Sequence, residues 1–202
     1  MNKLIIIFVI TIMNFNSYSQ DSIVDRKEND STLVWSKLRK LTWEDFKSTK
    51  RSLNGINTYH ATTSAGLFLS YTVEEDIIEE DVIEEDVIKF KILSKFEKYN
   101  SYVLLKTEYL LKHEQLHFDI VEVHARKLRK EYLLLKKEKA ELDDYLLLFQ
   151  KSLKDLSKYQ NLYDAETLHS KNKINQQKWN EKVKTELKML EAYRNKECPA
   201  RS

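Results

Sequence analysis

The amino-acid sequence predicts an α+β protein in which three helices pack against a small antiparallel sheet. After residue 100, apolar residues recur at helical spacing in three successive segments. Before residue 100, two shorter segments are rich in residues that favour strands. The chain of 202 residues contains only two glycines and one proline, so few positions interrupt a helix. One domain is the default for this length, and we assign residues 32–197 to it.

Composition excludes several classes of function. The chain has 34 Lys and Arg against 32 Asp and Glu, and it lacks basic stripes interleaved with aromatic residues, so nucleic acid is not an expected partner. The single cysteine, Cys198, has no partner for an internal disulfide and rules out thiolate-rich zinc sites. The scarcity of glycine disfavours phosphate-binding loops and dinucleotide-binding motifs.

The N-terminus predicts an export signal over residues 1–19. Lys3 supplies a positive charge, residues 4–13 form an apolar run, and small residues precede a cleavage point after Ser19. An uncleaved anchor is the alternative, but the run is much shorter than the ~20 residues that a span requires. We therefore expect a secreted or periplasmic protein that is not inserted in the membrane after cleavage, with a polar linker at residues 20–31.

The next elements in the chain are a short helix and two strands. Thr42 followed by Asp45 is typical of a helix N-terminus, so a helix is expected to begin at Trp43. Residues 58–73 are rich in strand formers, and residues 89–97 alternate between apolar and polar side chains. These two segments are expected to pair as antiparallel strands.

An acidic repeat separates the two predicted strands. Residues 74–88 contain three copies of a five-residue unit, EEDII, EEDVI and EEDVI. A period of five matches neither a helix nor a strand, so we interpret the repeat as an elongated hairpin connection inserted into the domain. Calcium binding by its carboxylates is the alternative.

Three helices are predicted in the second half of the chain. The first covers about residues 101–139 and the second about residues 142–159. A polar segment at residues 159–173 is expected to interrupt the pattern, and the third helix covers about residues 174–193. Residues 198–202 are expected to form a tail outside the domain.

The first predicted helix carries the sequence His113-Glu114-Gln115-Leu116-His117. Residues four apart lie on one helix face, so both imidazoles can bind one metal ion. Glu114, which is offset around the helix, can reach a water bound to that ion. This is the zinc-binding pattern of zincin metalloproteases, and it predicts a zincin-like domain with Zn²⁺ as cofactor.

A catalytic zinc ion usually has three protein ligands, so a third must come from elsewhere. The metzincin continuation is absent, because Ile120 and Val123 occupy the positions of its Gly and His. His124 lies about 10 Å further along the helix and is interpreted as a surface or supporting histidine. Glu122 is turned away from the pair and is interpreted as a polar structural partner. The remaining candidates lie in residues 163–169.

Several segments of the chain resemble a known family, the uncharacterised bacterial proteins described as predicted secreted zinc-dependent proteases. The resemblance spans most of the mature chain and rests on RKLTWEDF (39–46), Ala61-Thr62, LLKHEQLHFDIVEVHARKLR (110–129), YDAETLH (163–169) and the stretch from Gln176 to Trp179. It implies a secreted zinc-dependent protease. Two features depart from it: Ser170 stands where the family is expected to carry Gly, and the acidic repeat is an insertion.

Together, the motif and the resemblance predict a zinc ion bound by His113, His117 and His169. Two carboxylates remain open as alternative third ligands. Glu166 would make a His₂Glu site and Asp164 a His₂Asp site, and both are chemically sound.

The remaining polar residues near the motif are given supporting roles. Glu114 is predicted to be the general base that activates the zinc-bound water. Tyr163, or Glu166 if it is not a ligand, would stabilise the oxyanion or orient a ligand, with loop packing as the alternative. Asp119 and Arg126 would support the ligands, although simple surface ion pairing is the favoured interpretation.

The sequence thus favours an exported zinc-dependent metallohydrolase that acts on a peptide or protein as a peptidase. A zinc amidase that cleaves cell-wall peptide would use the same residues. A non-catalytic helical envelope protein with a structural or vestigial metal site is the third class. Glu114 distinguishes these classes, because a structural site has no need of a base beside the metal.

Overall fold

A computed structural model describes residues 7–10, 29–49, 60–75, 86–137, 140–194 and 197–199. The fold is α+β, as predicted, with three helices, a five-stranded antiparallel sheet and a separate two-stranded sheet. The helices are α1 (Glu108–Lys137), α2 (Leu142–Thr167) and α3 (Lys173–Met189). The strands are β1 (Ile7–Ile10), β2 (Thr32–Val34), β3 (Ala61–Thr62), β4 (Ala65–Glu75), β5 (Asp86–Glu97), β6 (Tyr102–Val103) and β7 (Glu197–Pro199).

The centre of the main sheet is the hairpin of β4 and β5. These strands pair antiparallel in one register, from Ala65 opposite Phe96 to Glu75 opposite Asp86. The predicted pairing of the two segments is confirmed, although β4 begins at Ala65 and residues 61–62 form the separate strand β3. Both ends of the acidic repeat continue the hairpin strands, and its residues 76–85 lie outside the described residues.

Three short strands complete the main sheet. β1 pairs with β4, while β2 and β7 pair with residues 95–97 and 89–91 of β5. Cys198 and Pro199, which were expected in the tail, belong to β7 and pair with β5, while residues 200–202 lie outside the described residues. β1 falls within the predicted signal peptide, whose residues 1–6 and 11–19 lie outside the described residues, as do residues 20–28 of the predicted linker.

Helix α1 begins later than predicted. Residues 102–103 form β6, which pairs with β3, and Leu104 and Leu105 lie between this strand and the helix, about half exposed. Thr107 caps the helix, since the backbone N–H of Leu110 donates to its Oγ1 at 3.1 Å. The apolar residues at 104–105 therefore belong to a loop and not to the first turn of α1.

Helix α2 continues to Thr167, into the segment that was predicted to interrupt it. That prediction is wrong for residues 159–167, where buried Tyr163 and Thr167 continue the helical face of Leu156. These residues are polar but include no Gly or Pro, so no residue type there ends the helix. The break between α2 and α3 lies at residues 168–172. α3 ends at Met189, four residues before the predicted end, and a 3₁₀ turn covers Glu191–Tyr193.

The short helix after β2 forms as predicted, as a 3₁₀ turn over Trp43–Asp45. The Asp45 carboxylate accepts a hydrogen bond from the Thr42 backbone N–H at 2.8 Å. This hydrogen bond belongs to the capping pattern on which the prediction depended. Residues 35–46, which include this turn, contact α1 through Asp119, which accepts a hydrogen bond from Trp35 Nε1 at 2.7 Å.

Helix α1 forms the middle of the core and contacts both the sheet and the other two helices. The main apolar cluster joins Leu69 and Ile92 of the sheet to Ile120 of α1, Phe149 of α2 and Val183 of α3. Burial of these side chains is the main source of stability for the fold. None of the described helices is long and apolar enough to cross a membrane.

A charged network lies within this core. Glu122 Oε1 accepts hydrogen bonds from Arg126 Nε at 2.9 Å and from Arg129 at 3.0 Å, and its Oε2 accepts one from Ser94 at 2.8 Å. Glu122 is thus a structural partner, as predicted. The prediction of surface ion pairing is wrong for Arg126, because this side chain is buried, where it also pairs with Glu191.

Candidate metal centre

The two histidines of the motif lie one turn apart on α1, and both are anchored through Nδ1. His113 Nδ1 lies 2.8 Å from Gln176 Oε1 on α3, and His117 Nδ1 contacts Gln160 Oε1 on α2. Gln160 Nε2 donates to the backbone oxygen of His117 at 2.9 Å, which fixes the orientation of this amide. An amide oxygen only accepts hydrogen bonds, so each imidazole in its neutral form carries its proton on Nδ1 and has a lone pair on Nε2.

Asp164 of α2 meets both Nε2 atoms. Its Oδ1 lies 3.1 Å from His117 Nε2 and 3.4 Å from His113 Nε2. The three candidate ligand atoms all lie within 4.8 Å of one another. When both imidazoles are neutral, the two nitrogens and the carboxylate oxygen are all acceptors, and a cation bound between them would interact favourably with all three. Two imidazoles and a carboxylate are a donor set that suits Zn²⁺.

The electrostatics of Asp164 favour its ionised form. Burial raises the pKa of this carboxyl, but hydrogen bonds and charge from His113 and His117 outweigh burial and bring the pKa well below its usual range. Burial likewise lowers the pKa of His117, and Asp164 and Glu114 reverse the effect, so the net shift is upward. The pocket therefore holds a carboxylate anion and attracts positive charge.

Tyr163 supports His113 from behind. Its ring stacks on the imidazole, with centroids 4.7 Å apart and planes at 26°, and its hydroxyl lies 2.7 Å from His113 Nδ1. The hydroxyl also contacts Gln176 at 3.0 Å. Burial raises the pKa of Tyr163, so it stays a neutral phenol. Of the two roles considered for Tyr163, this position matches the orientation of a ligand, because the hydroxyl faces Nδ1 and not the Nε2 side.

Glu114 follows His113 on α1 and lies in the same cleft. Its side chain is 3% exposed, and among the described residues its carboxylate makes no hydrogen bond or ion pair. Thr63 donates to its backbone oxygen at 3.4 Å. A buried carboxylate with no structural partner, beside two candidate metal ligands, is suited to accept a proton from water.

The two other candidate ligands are not part of this cluster. Glu166 Oε2 accepts a hydrogen bond from Trp179 Nε1 at 2.7 Å, which turns its carboxylate away from the histidines. His169 Nδ1 lies 3.5 Å from Asp164 Oδ1, and its side chain is 46% exposed. The structure therefore groups Asp164, and neither Glu166 nor His169, with the two histidines.

His124 and Asp119, which were considered as supporting residues, contact other parts of the fold. His124, expected at the surface or beside the ligands, is buried against Tyr159, with ring centroids 5.2 Å apart. Asp119 binds Trp35 and accepts from Gln115 Nε2 at 2.8 Å. Asp119 thus fastens the segment after β2 to α1 and does not line the cleft.

The roles of Gln160 and Gln176 were not predicted from the sequence. Gln160 lies four residues before Asp164, so both face the motif from one side of α2. This signal was hidden because the segment was predicted to be a loop. Gln176 begins one of the segments that carry the family resemblance, but no role was assigned to it.

The cluster opens into a cleft of about 610 Å³. Residues 60–63 around β3 form one side, α1 contributes the histidines and Glu114, and α2 with residues 169–171 forms another side. Such a volume is typical of a small-molecule or peptide site. The candidate ligands are therefore accessible from solvent and not sealed in the core.

Comparisons of the chain with protein-family models, with curated proteins and with solved structures find no match. The resemblance to predicted secreted zinc-dependent proteases thus rests on the sequence motifs alone and stays a prediction. Any functional conclusion depends on the chemistry of the site.

Proposed function

We propose that the protein is an exported zinc-dependent metallopeptidase with His113, His117 and Asp164 as zinc ligands. The observation that carries the proposal is the convergence of two Nε2 lone pairs and one carboxylate oxygen beside Glu114, which has no other partner among the described residues. The export component rests on the N-terminal sequence at residues 1–19.

Asp164 is preferred as the third ligand on distance. Its Oδ1 lies within 3.4 Å of both histidine Nε2 atoms and forms one cluster with them, whereas His169 is not part of that cluster and Glu166 binds Trp179. A His₂Asp set leaves one position open in a tetrahedral arrangement, as catalytic zinc sites do. This choice replaces His169, the ligand favoured by the sequence.

Zinc, when bound, would supply Lewis acidity that lowers the pKa of water and polarises a carbonyl. Glu114 would accept the proton from the attacking water and return it to the leaving amine. Gln160, Gln176 and Tyr163 would keep the two imidazoles in place during this exchange. The walls of the cleft, at residues 60–63 and 169–171, would hold the peptide beside the ligands.

A structural metal site is less consistent with these observations. Structural zinc ions are usually enclosed by four protein ligands. Here three ligand atoms converge at an open cleft, and a buried carboxylate lies next to them without a structural partner among the described residues. A catalytic role accounts for both the accessibility of the site and the position of Glu114.

The test compares the mature protein with Glu114→Gln. We expect about one zinc ion per chain in both proteins. We also expect a loss of about 10²- to 10⁴-fold in peptide hydrolysis in the variant, because the general base is removed. The assay uses a broad peptide library with and without chelator. Glu131→Gln, an exposed change on the same helix, serves as the matched control.

Three outcomes would count against the proposal. Activity that survives in Glu114→Gln, or that persists after chelation, would contradict the mechanism. Zinc-loaded protein that cleaves no peptide but cleaves cell-wall peptide amides would redirect the proposal to an amidase. Protein that binds no zinc would contradict the metal site itself.

A further inference from the structure

The connection between α2 and α3 has an unusual backbone. Leu168, His169 and Ser170 adopt φ angles of 50°, 49° and 73°, and none of them is glycine. Left-handed backbone is unfavourable for residues with a Cβ, and such residues normally occur singly. Consecutive strained residues persist where the surrounding structure holds them, and they concentrate at functional sites.

Hydrogen bonds, and not apolar burial, hold this turn. The His169 N–H donates to the Asp164 carbonyl at 2.9 Å, and the Asn172 N–H donates to the Thr167 carbonyl at 2.8 Å. Leu168 is 57% exposed, so the turn does not serve to bury its one large apolar side chain. The conformation is better explained by the direction in which it sends His169.

His169 lies on the cleft wall beside the candidate metal ligands. Its Nδ1 is 3.5 Å from Asp164 Oδ1, and its side chain lines the same cleft as Glu114. Glu114 comes from α1 and His169 from the α2–α3 turn, so the two side chains approach the cleft from different elements. An imidazole beside the metal ligands, half exposed to the cleft, is in position to contact a bound substrate.

We propose that His169 is a catalytic residue that donates a ring N–H to the oxyanion formed on the substrate. The inference rests on the proposed function. In that reaction the water oxygen bonds to the carbonyl carbon, its proton passes to Glu114, and the carbonyl π electrons move to the carbonyl oxygen. The negative charge that develops on this oxygen is what His169 stabilises.

The test uses inorganic phosphate as a tetrahedral oxyanion and the visible absorption of the Co²⁺-loaded protein as the readout. His169→Asn removes the imidazole and introduces a residue that tolerates left-handed backbone. His169→Gly keeps the turn without any side chain and guards against misfolding of the first variant. Gln177→Asn, an exposed change on α3 at a residue that does not line the cleft, is the control.

We expect both His169 variants to bind Co²⁺ with an unchanged spectrum, since His113, His117 and Asp164 remain to hold the ion. Their phosphate affinity should fall about tenfold or more, as expected for loss of a hydrogen bond to a charged group. Gln177→Asn should retain phosphate affinity within about twofold, because the change lies outside the cleft and leaves the oxyanion donor in place.

Three other outcomes would contradict the proposals. Loss of Co²⁺ in both His169 variants would make His169 a metal ligand, which would overturn this inference and the choice of Asp164 over His169 but not the metallopeptidase proposal. Phosphate that binds the variants as tightly as wild type would show that His169 does not contact the anion. Wild-type protein that takes up no Co²⁺ would overturn the proposed function, and this inference with it.

Discussion

Gln176 Oε1 lies 2.8 Å from His113 Nδ1, and this contact fixes which nitrogen of the imidazole faces the cleft. Gln160 has the same relationship with His117. Helix α1 supplies both imidazoles, while α2 and α3 supply the amides that orient them. The ligand geometry is therefore a product of the packing of three helices and not of the α1 motif alone.

The first prediction concerns this anchoring. Gln176→Leu should lower zinc affinity about 10- to 100-fold, because His113 loses the acceptor that fixes its tautomer and orientation. Chelator competition measures the change. Gln177→Leu, an exposed neighbour on α3, is the control and should retain wild-type affinity. Equal affinity in Gln176→Leu and wild type would mean that Tyr163 alone orients the imidazole.

The second prediction concerns the third ligand. Asp164→Asn should reduce zinc affinity sharply, since a neutral amide replaces the anionic ligand that lies between both histidines. Glu166→Gln is the matched control, a carboxylate-to-amide change two residues along the same helix. It should keep its zinc, because Glu166 contacts Trp179. Zinc loss in Glu166→Gln with retention in Asp164→Asn would reverse the assignment.

The pair of histidines and Glu114 could be predicted from the sequence because their geometry is local. Residues at a spacing of four on a helix share a face wherever the helix lies. The third ligand depends instead on how α2 packs against α1. Sequence polarity suggested a loop at residues 159–173, whereas tertiary burial of Tyr163 and Thr167 keeps residues 159–167 helical.

The sheet also contains one pairing that the sequence predicts and one that it does not. Alternation and strand formers predicted the pairing of β4 with β5, since both strands lie next to each other in the chain. The strand at residues 197–199 could not be predicted from its few residues, because its partner β5 is about 100 residues away in the chain. A three-residue segment has no periodicity of its own, so only the fold defines it as a strand.

The third prediction concerns Ser170. The family resemblance leads one to expect Gly at this position, and Ser170 adopts φ 73°, where Gly is unstrained. Ser170→Gly should therefore raise the free energy of unfolding by about 1 kcal/mol, as measured by urea denaturation. Ser152→Gly inside α2 is the control and should lower it by about 0.5 kcal/mol. Destabilisation by Ser170→Gly would mean that the Ser side chain outweighs the relief of strain.

The fourth prediction concerns the buried histidine His124. Its side chain is 7% exposed, and its Nε2 has no hydrogen-bond partner among the described residues. Burial, assisted by the charge of Lys127, lowers the pKa of His124 to about 4, although Glu186 and Asp155 oppose the shift. The folded protein thus strongly favours the neutral imidazole.

The sign of the pH effect follows from these values. The pKa of His124 is about 4 in the folded protein and about 6.5 in the unfolded chain, so between these values the unfolded chain binds more protons. The free energy of unfolding should therefore fall as the pH drops from 6.5 to 4, by about 3 kcal/mol from this residue. His124→Phe keeps an aromatic ring against Tyr159 and removes the titration.

Urea denaturation of the metal-free protein from pH 4 to 7.5 measures the effect. The free energy of unfolding of wild type relative to His124→Phe should decrease toward low pH. Only in wild type does the ring of residue 124 become exposed and take up a proton when the chain unfolds. His60→Phe, a change at an exposed histidine, should follow the wild-type profile. Parallel profiles for wild type and His124→Phe would contradict the argument, because they would require His124 to have the same pKa in the folded and unfolded chains.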